Sequence, residues 1–382
     1  MTISVLNPGQ ETLIFAALFG FALAVGARRK RARNFFSPEL TTELKGLAIA
    51  AVILAHVGYF MASDTRFLFP LSTLAGVGVN IFLFLSGYGL TVSALRQPAS
   101  IWQFYRKRLG KIFVPFWMVV IILLILDTLI LQRSYPVTTI LHSLLGFFPA
   151  ADLAGSFNAP LCYFTAIVFY YLLFPLLFLK KYPLFTAGLF LIASRWVLDQ
   201  TLPVTPDVLN LYRLHTACFP LGIACAGIAL WQKPLWLKGL TKRWEILLPI
   251  FKYIIRAGLI AALGALIAYT TIHSGVGEGY KIEQQASLIT TAAVLLFFIL
   301  LPLELGWLRW LGVYSFELYL FHWPLLYRYD VLYRFISPGW ATFLYFLLFL
   351  ALDWLIRQAL VRAQQAIAVI GKPGNPGATA AK

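Results

Sequence analysis

Two histidines, two lysines and one short basic run break the apolar pattern of this chain, and their spacing could do chemistry. Lys45 and His56 stand 11 residues apart. On an α-helix that is within about 20° of three full turns, so both side chains share a face, separated by about 16 Å along the axis. A cation at the rim of an apolar span and an imidazole near its half depth would then meet the same neighbours. An ionisable group inside a membrane is costly and marks function by default. A structural hydrogen bond explains His56 equally well, and a snorkelling anchor explains Lys45. The second histidine, His322, lies in the run Tyr319-Leu320-Phe321-His322-Trp323-Pro324. Tyr319 precedes it by three residues and shares its face. Glu317 is about 140° away round the helix, and Pro324 is expected to loosen the helix beyond the histidine.

Two further groups carry polar chemistry. Asn80 and Ser86 fall within the small-residue run Gly76 to Gly89. Polar groups in an apolar segment need partners, and helix packing is the simpler account of them. Phe104-Tyr105-Arg106-Lys107-Arg108-Leu109-Gly110-Lys111 is read as a basic loop between aromatics that ends at Pro115. It suits a phosphate-bearing ligand arriving from the cytoplasm, although basic residues in a cytoplasmic segment also follow from topology alone. His142, His215 and His273 are read as solvated or structural, and Arg195, Asp127, Glu304 and Asp353 as charges near span ends that snorkel.

The elements that must position these residues follow from composition. Of 382 residues, 60% are apolar, 16% aromatic and 12% charged. A soluble domain carries about 25% charged residues, so this chain could not cover a soluble surface and reads as an all-α, polytopic transmembrane bundle. Eleven apolar stretches are expected as spans, near 11–27, 44–62, 74–95, 112–131, 159–179, 183–198, 214–232, 254–272, 286–305, 310–327 and 339–356. The first could instead be an interfacial helix. With the N-terminus outside, cytoplasmic segments hold 24 Lys and Arg against 6 outside, Arg195 lying within a span. That asymmetry places the C-terminus in the cytoplasm and accounts for the net charge of +16 without nucleic acid. Residues 371–382, rich in Gly, Pro and Ala, are expected to be disordered. The three cysteines lie in apolar runs without metal-ligand spacing, no metal is expected, and no G-x-x-x-x-G-K-[ST], G-x-S-x-G or H-E-x-x-H motif is present.

Four of these pieces, in this order, resemble the acyltransferase 3 family of bacterial membrane-bound polysaccharide O-acetyltransferases. Lys45-x₁₀-His56 is similar to its Arg-x₁₀-His motif, and Gly78 to Tyr88 to its Gly-Val-(Asp/Asn)…Ser-Gly-(Phe/Tyr) element. Arg108-x-x-Lys111, ending at Pro115, resembles its basic loop, and Ser315-Phe316 through His322 and Pro324 its last motif. Lysine replaces arginine at 45 and 111, keeping the charge and losing the planar fork.

The resemblance implies a ten-helix acyltransferase core over residues 44–356. It leaves residues 1–43 as an extra N-terminal helix with a basic linker and residues 357–382 as a cytoplasmic tail. It implies acyl transfer, usually acetyl, from cytoplasmic acyl-CoA to a hydroxyl of a glycan or glycolipid, in the inner membrane of the cell envelope. Lys45, Arg108 and Lys111 would then hold the CoA phosphates, and His56 would be the general base. His322 and Tyr319 would orient the acceptor, stabilise the oxyanion or relay the acyl group, with Asn80 and Ser86 in the pocket wall. A secondary transporter or flippase for a lipid-linked sugar is the alternative, with the histidines as proton relays; no paired broken helices of an internal repeat support it. A non-catalytic scaffold would leave both histidines without a reason to be buried.

Overall fold

A computed structural model describes residues 2–30, 36–152, 157–230, 249–275 and 279–370. Among the described residues the chain is an all-α bundle with one two-stranded ribbon. Helix α1 (Pro8–Val25) leads into strand β1 (Ala27–Arg29). Helix α2 (Pro38–Ala55) passes into a π-helical turn (His56–Met61). Helices α3 (Ala75–Arg96), α4 (Ile101–Leu131), α5 (Val137–Leu145), α6 (Cys162–Leu177), α7 (Pro183–Leu198), α8 (Pro206–His215) and α9 (Cys218–Leu230) follow. Then come α10 (Pro249–Thr271), α11 (Tyr280–Leu300), strand β2 (Leu303–Leu305), α12 (Gly306–Val313), α13 (Ser315–Tyr327) and α14 (Pro338–Ile370).

Among the described residues, nine helical segments are long and apolar enough to cross a bilayer. The short sixth span is α7, and the tenth is broken at Tyr314 into α12 and α13. The eleven expected spans are thereby accounted for. The last helix runs on to Ile370, past the expected span end at 356; the tail expected to be disordered lies outside the described residues.

Helix α1 lies along the bundle. Its N-terminal end is tied to one end of the molecule, where Ile3 pairs with Met61 and Ser63 and Glu11 accepts from the Gly339 N–H. Its C-terminal end is tied to the other, where β1 pairs antiparallel with β2. Phe15 and Phe19 pack on Phe346 between them. A helix bound at both ends of the bundle spans it, which disfavours the interfacial alternative.

Close helix crossings are made at glycines. A Cβ on Gly46 of α2 would collide with the Leu308 carbonyl of α12, and one on Gly312 with the Thr42 carbonyl. Gly87 of α3 and Gly222 of α9 interlock in the same way, against the carbonyls of Phe219 and Phe84. Lipid offers no hydrophobic drive to press helices together, so small residues that admit backbone contact supply the packing. Gly78 of α3 meets the Ala48 carbonyl of α2 in the same way, so that these crossings hold α2, α3 and α12 around a common space.

Candidate active site

That space is a cavity of about 970 Å³. Lys45 and His56, both from the α2 segment, line it together, as their spacing predicts. Arg108 and Lys111 line it beside Lys45, as do Ser86 and Tyr319. The basic run is not a loop. It forms the first turns of α4, which starts at Ile101 behind a capping box in which the Ser100 side chain accepts from Gln103 N–H and Gln103 reaches back. That cap and a continuous apolar run carry the helix through Pro115 for 31 residues. On a helix, Arg108 and Lys111 share a face and meet the cavity, while Arg106 and Lys107, together with Arg108, line a separate cavity of about 670 Å³.

His56 sits where α2 gives way to the π turn, a local widening of the helix that recurs at functional sites. Its Nδ1 lies 2.8 Å from His322 Nε2, with the two rings stacked at 5.0 Å. His322 is fully buried, and it stands behind His56 rather than on the cavity wall. Its own Nδ1 is 3.0 Å from the carbonyls of Leu318 and Tyr319. Carbonyls only accept, so this nitrogen carries the proton. In the neutral ring Nε2 is then an acceptor, His56 Nδ1–H donates to it, and His56 Nε2 keeps its lone pair. His322 thus meets the cavity only through His56, and its anchored ring sets which nitrogen of His56 carries the proton. The Tyr319 hydroxyl donates to the Pro160 carbonyl.

Pro324 does not end the helix, which continues to Tyr327. Proline lacks an N–H and frees the carbonyl four residues earlier. That carbonyl, of Leu320, accepts from Asn158 Nδ2 at 2.8 Å. The strand of chain before α6 therefore repairs the helix that carries His322.

Asn80 is fully buried and lies behind the cavity wall, not on it. Its Nδ2 donates to Ser287 Oγ at 2.6 Å, and its Oδ1 is 2.7 Å from His215 Nδ1. His215, read from sequence as solvated or structural, is buried and lines the cavity. Its place at the head of a span was the available signal; its partner, 135 residues away, left none. Arg357 and Glu317 also line the cavity, pair with each other at 3.5 Å, and were not singled out as site residues.

Two snorkelling assignments fail. Asp127 and Asp353 have no exposed surface. Asp127 is ion-paired with buried Arg328 and accepts from the hydroxyls of Tyr135 and Tyr329, so the pair closes the end of the bundle opposite the basic rim. Asp353 packs inside α14, with Arg357 as its nearest cation at 3.9 Å.

A cation-lined mouth and an imidazole with a free lone pair, in one largely apolar cavity, are equipped to bind an anionic ligand and remove a proton from a second one. A family model for an acyltransferase domain matches residues 44–357. Searches of curated proteins and of solved structures return no match.

Proposed function

The chain belongs to the acyltransferase 3 family, a multi-pass membrane acyltransferase, and from that premise we propose that it moves an acyl group, acetyl in the simplest case, from cytoplasmic acyl-CoA to a hydroxyl of a cell-surface or periplasmic glycan. The observation that carries this reading is the shared cavity, with Lys45, Arg108 and Lys111 at one end and His56 further in. The three cations suit the CoA phosphates; Arg357, at the same mouth, is already paired with Glu317. The thioester would extend from this rim toward His56.

In the reaction His56 Nε2 takes the proton of the acceptor hydroxyl. The hydroxyl oxygen attacks the thioester carbonyl, the C–O bond forms, and the C–S bond breaks. The CoA thiolate leaves and takes up the proton from the imidazolium. His322 acts here as a positioning residue, because its carbonyl-anchored Nδ1–H fixes which nitrogen of His56 is free. Ser86 and Tyr319 shape the wall, with the Tyr319 hydroxyl committed to Pro160.

We place the protein in the inner membrane, N-terminus outside and C-terminus in the cytoplasm. The basic bias supports this. So does the gathering of β1, β2 and the Arg357 contact with the Val313 carbonyl at one end of the bundle.

The test is His56→Ala. Acyl transfer from acetyl-CoA to glycan, followed by product mass in membranes holding folded variant, should vanish. Acetylated product at the wild-type level would remove the assignment.

A further inference from the structure

The cavity has two chemically different halves. Its cations, Lys45, Arg108, Lys111 and Arg357, the last paired with Glu317, all stand at the basic end. The other half is walled by α8, the end of α10 and the start of α11, with Asp207, Asn210, His215, Ser274, Tyr280 and Glu283. Among the described residues no lysine or arginine lines it; Asp207 and Glu283 are the charges on its wall, with Arg213 and Arg195 near Tyr280 behind it. Each carboxylate also sits in the first turn of its helix, where it complements the dipole. That role does not require either to line a cavity.

His215 is the built element of this half. It is 4% exposed, and its Nδ1 is locked to Asn80, itself locked to Ser287. Whichever way the amide is turned, the ring is held by one nitrogen, and Nε2 is the end left for other contacts. Its nearest partner there, the Tyr163 hydroxyl, is 3.3 Å away and also lines the cavity. Three connected buried polar groups cost desolvation, and they end at the cavity wall. Gly76 stands opposite, open to the cavity, where a Cβ would lie 3.6 Å from the imidazole.

We propose that this half is the acceptor subsite, in which His215 hydrogen-bonds an acceptor hydroxyl and Asp207 and Glu283 exclude negatively charged acceptors, so that the substrate is an uncharged sugar or one carrying an amine. The inference rests on the acyl-transfer reading and narrows its acceptor. No bond changes at His215; it is an acceptor-binding group.

The experiment uses full-length protein in nanodiscs with methyl glucoside and methyl glucuronide, which differ by a hydroxymethyl against a carboxylate. Equilibrium binding without donor, by competition in saturation-transfer NMR, should favour the glucoside on the order of tenfold or more, since like charges at an interface are strongly disfavoured. The double variant Asp207→Asn, Glu283→Gln should narrow that ratio. With acetyl-CoA, His215→Ala should raise the acceptor KM about tenfold, the scale of one hydrogen bond to a buried polar group. His215→Gln should recover part of the KM. Equal binding of the two sugars, or an unchanged acceptor KM in His215→Ala, overturns the proposal. Preferential glucoside binding by a protein that never consumes acetyl-CoA would refute the donor reading while leaving this subsite in place.

Discussion

His322 Nε2 stands 2.8 Å from His56 Nδ1, on the side of the His56 ring away from the open cavity. The inner ring is fixed by two backbone carbonyls, so it dictates the proton position on the outer one. His322→Ala should lower kcat by about 10- to 100-fold, the usual cost of removing a residue that orients a reacting group, with both KM values nearly unchanged. His322→Gln, which retains an acceptor, should recover part of it. Steady-state kinetics with both substrates varied checks this; a KM-only effect would make His322 a binding residue instead.

Arg108 and Lys111 reach the cavity from one face of a capped helix. Arg108→Ala should therefore raise the acetyl-CoA KM about tenfold, the order expected for one charge-assisted phosphate contact, and leave turnover at saturating donor almost untouched. Lys45→Arg should lower the same KM, because a guanidinium presents a planar fork to phosphate where an ammonium presents a point charge. An unmoved donor KM in both variants would leave these cations with topology alone.

The repair of α13 by Asn158 is open to a double-mutant cycle. Asn158→Ala strips the Leu320 carbonyl of its donor and should destabilise the protein by about 1–3 kcal/mol. Pro324→Ala supplies a backbone N–H to the same carbonyl, and in that background Asn158→Ala should cost much less. Unfolding in mixed micelles measures both; equal costs in the two backgrounds would show that the Asn158 bond does not compensate for proline.

Asp127 and Arg328 form a buried pair, with Arg328 also 5.5 Å from the Phe157 ring centre. Asp127→Asn should cost about 3–5 kcal/mol because it leaves the guanidinium buried without a counter-charge. Burial, reinforced by the hydrogen bond to Asp127, raises the Tyr135 and Tyr329 hydroxyls above the ordinary value of 10.0. Folding thus favours their protonated forms. Their contribution is complete below that value and is lost as pH rises through the elevated ones. Tyr329→Phe should flatten the fall of thermal stability on the alkaline side, and an unaltered alkaline limb would count against this coupling.

The α-helical class and the span count were legible in the residue order. They follow from a local quantity, runs of about 20 apolar residues. The common face of Lys45 and His56 was legible for the same reason, since helical rotation is a property of one segment. Pro115 and the dense charges suggest a loop where Ser100 and Gln103 cap a helix, because local signals compete. What the tertiary structure alone decided lies between segments. His322 is placed behind His56 rather than on the cavity wall, Asn80 behind His215, and Asp127 against Arg328 rather than at the lipid surface. These partners are 266, 135 and 201 residues apart. Their meeting is set by how the helices pack against one another, which no single segment encodes.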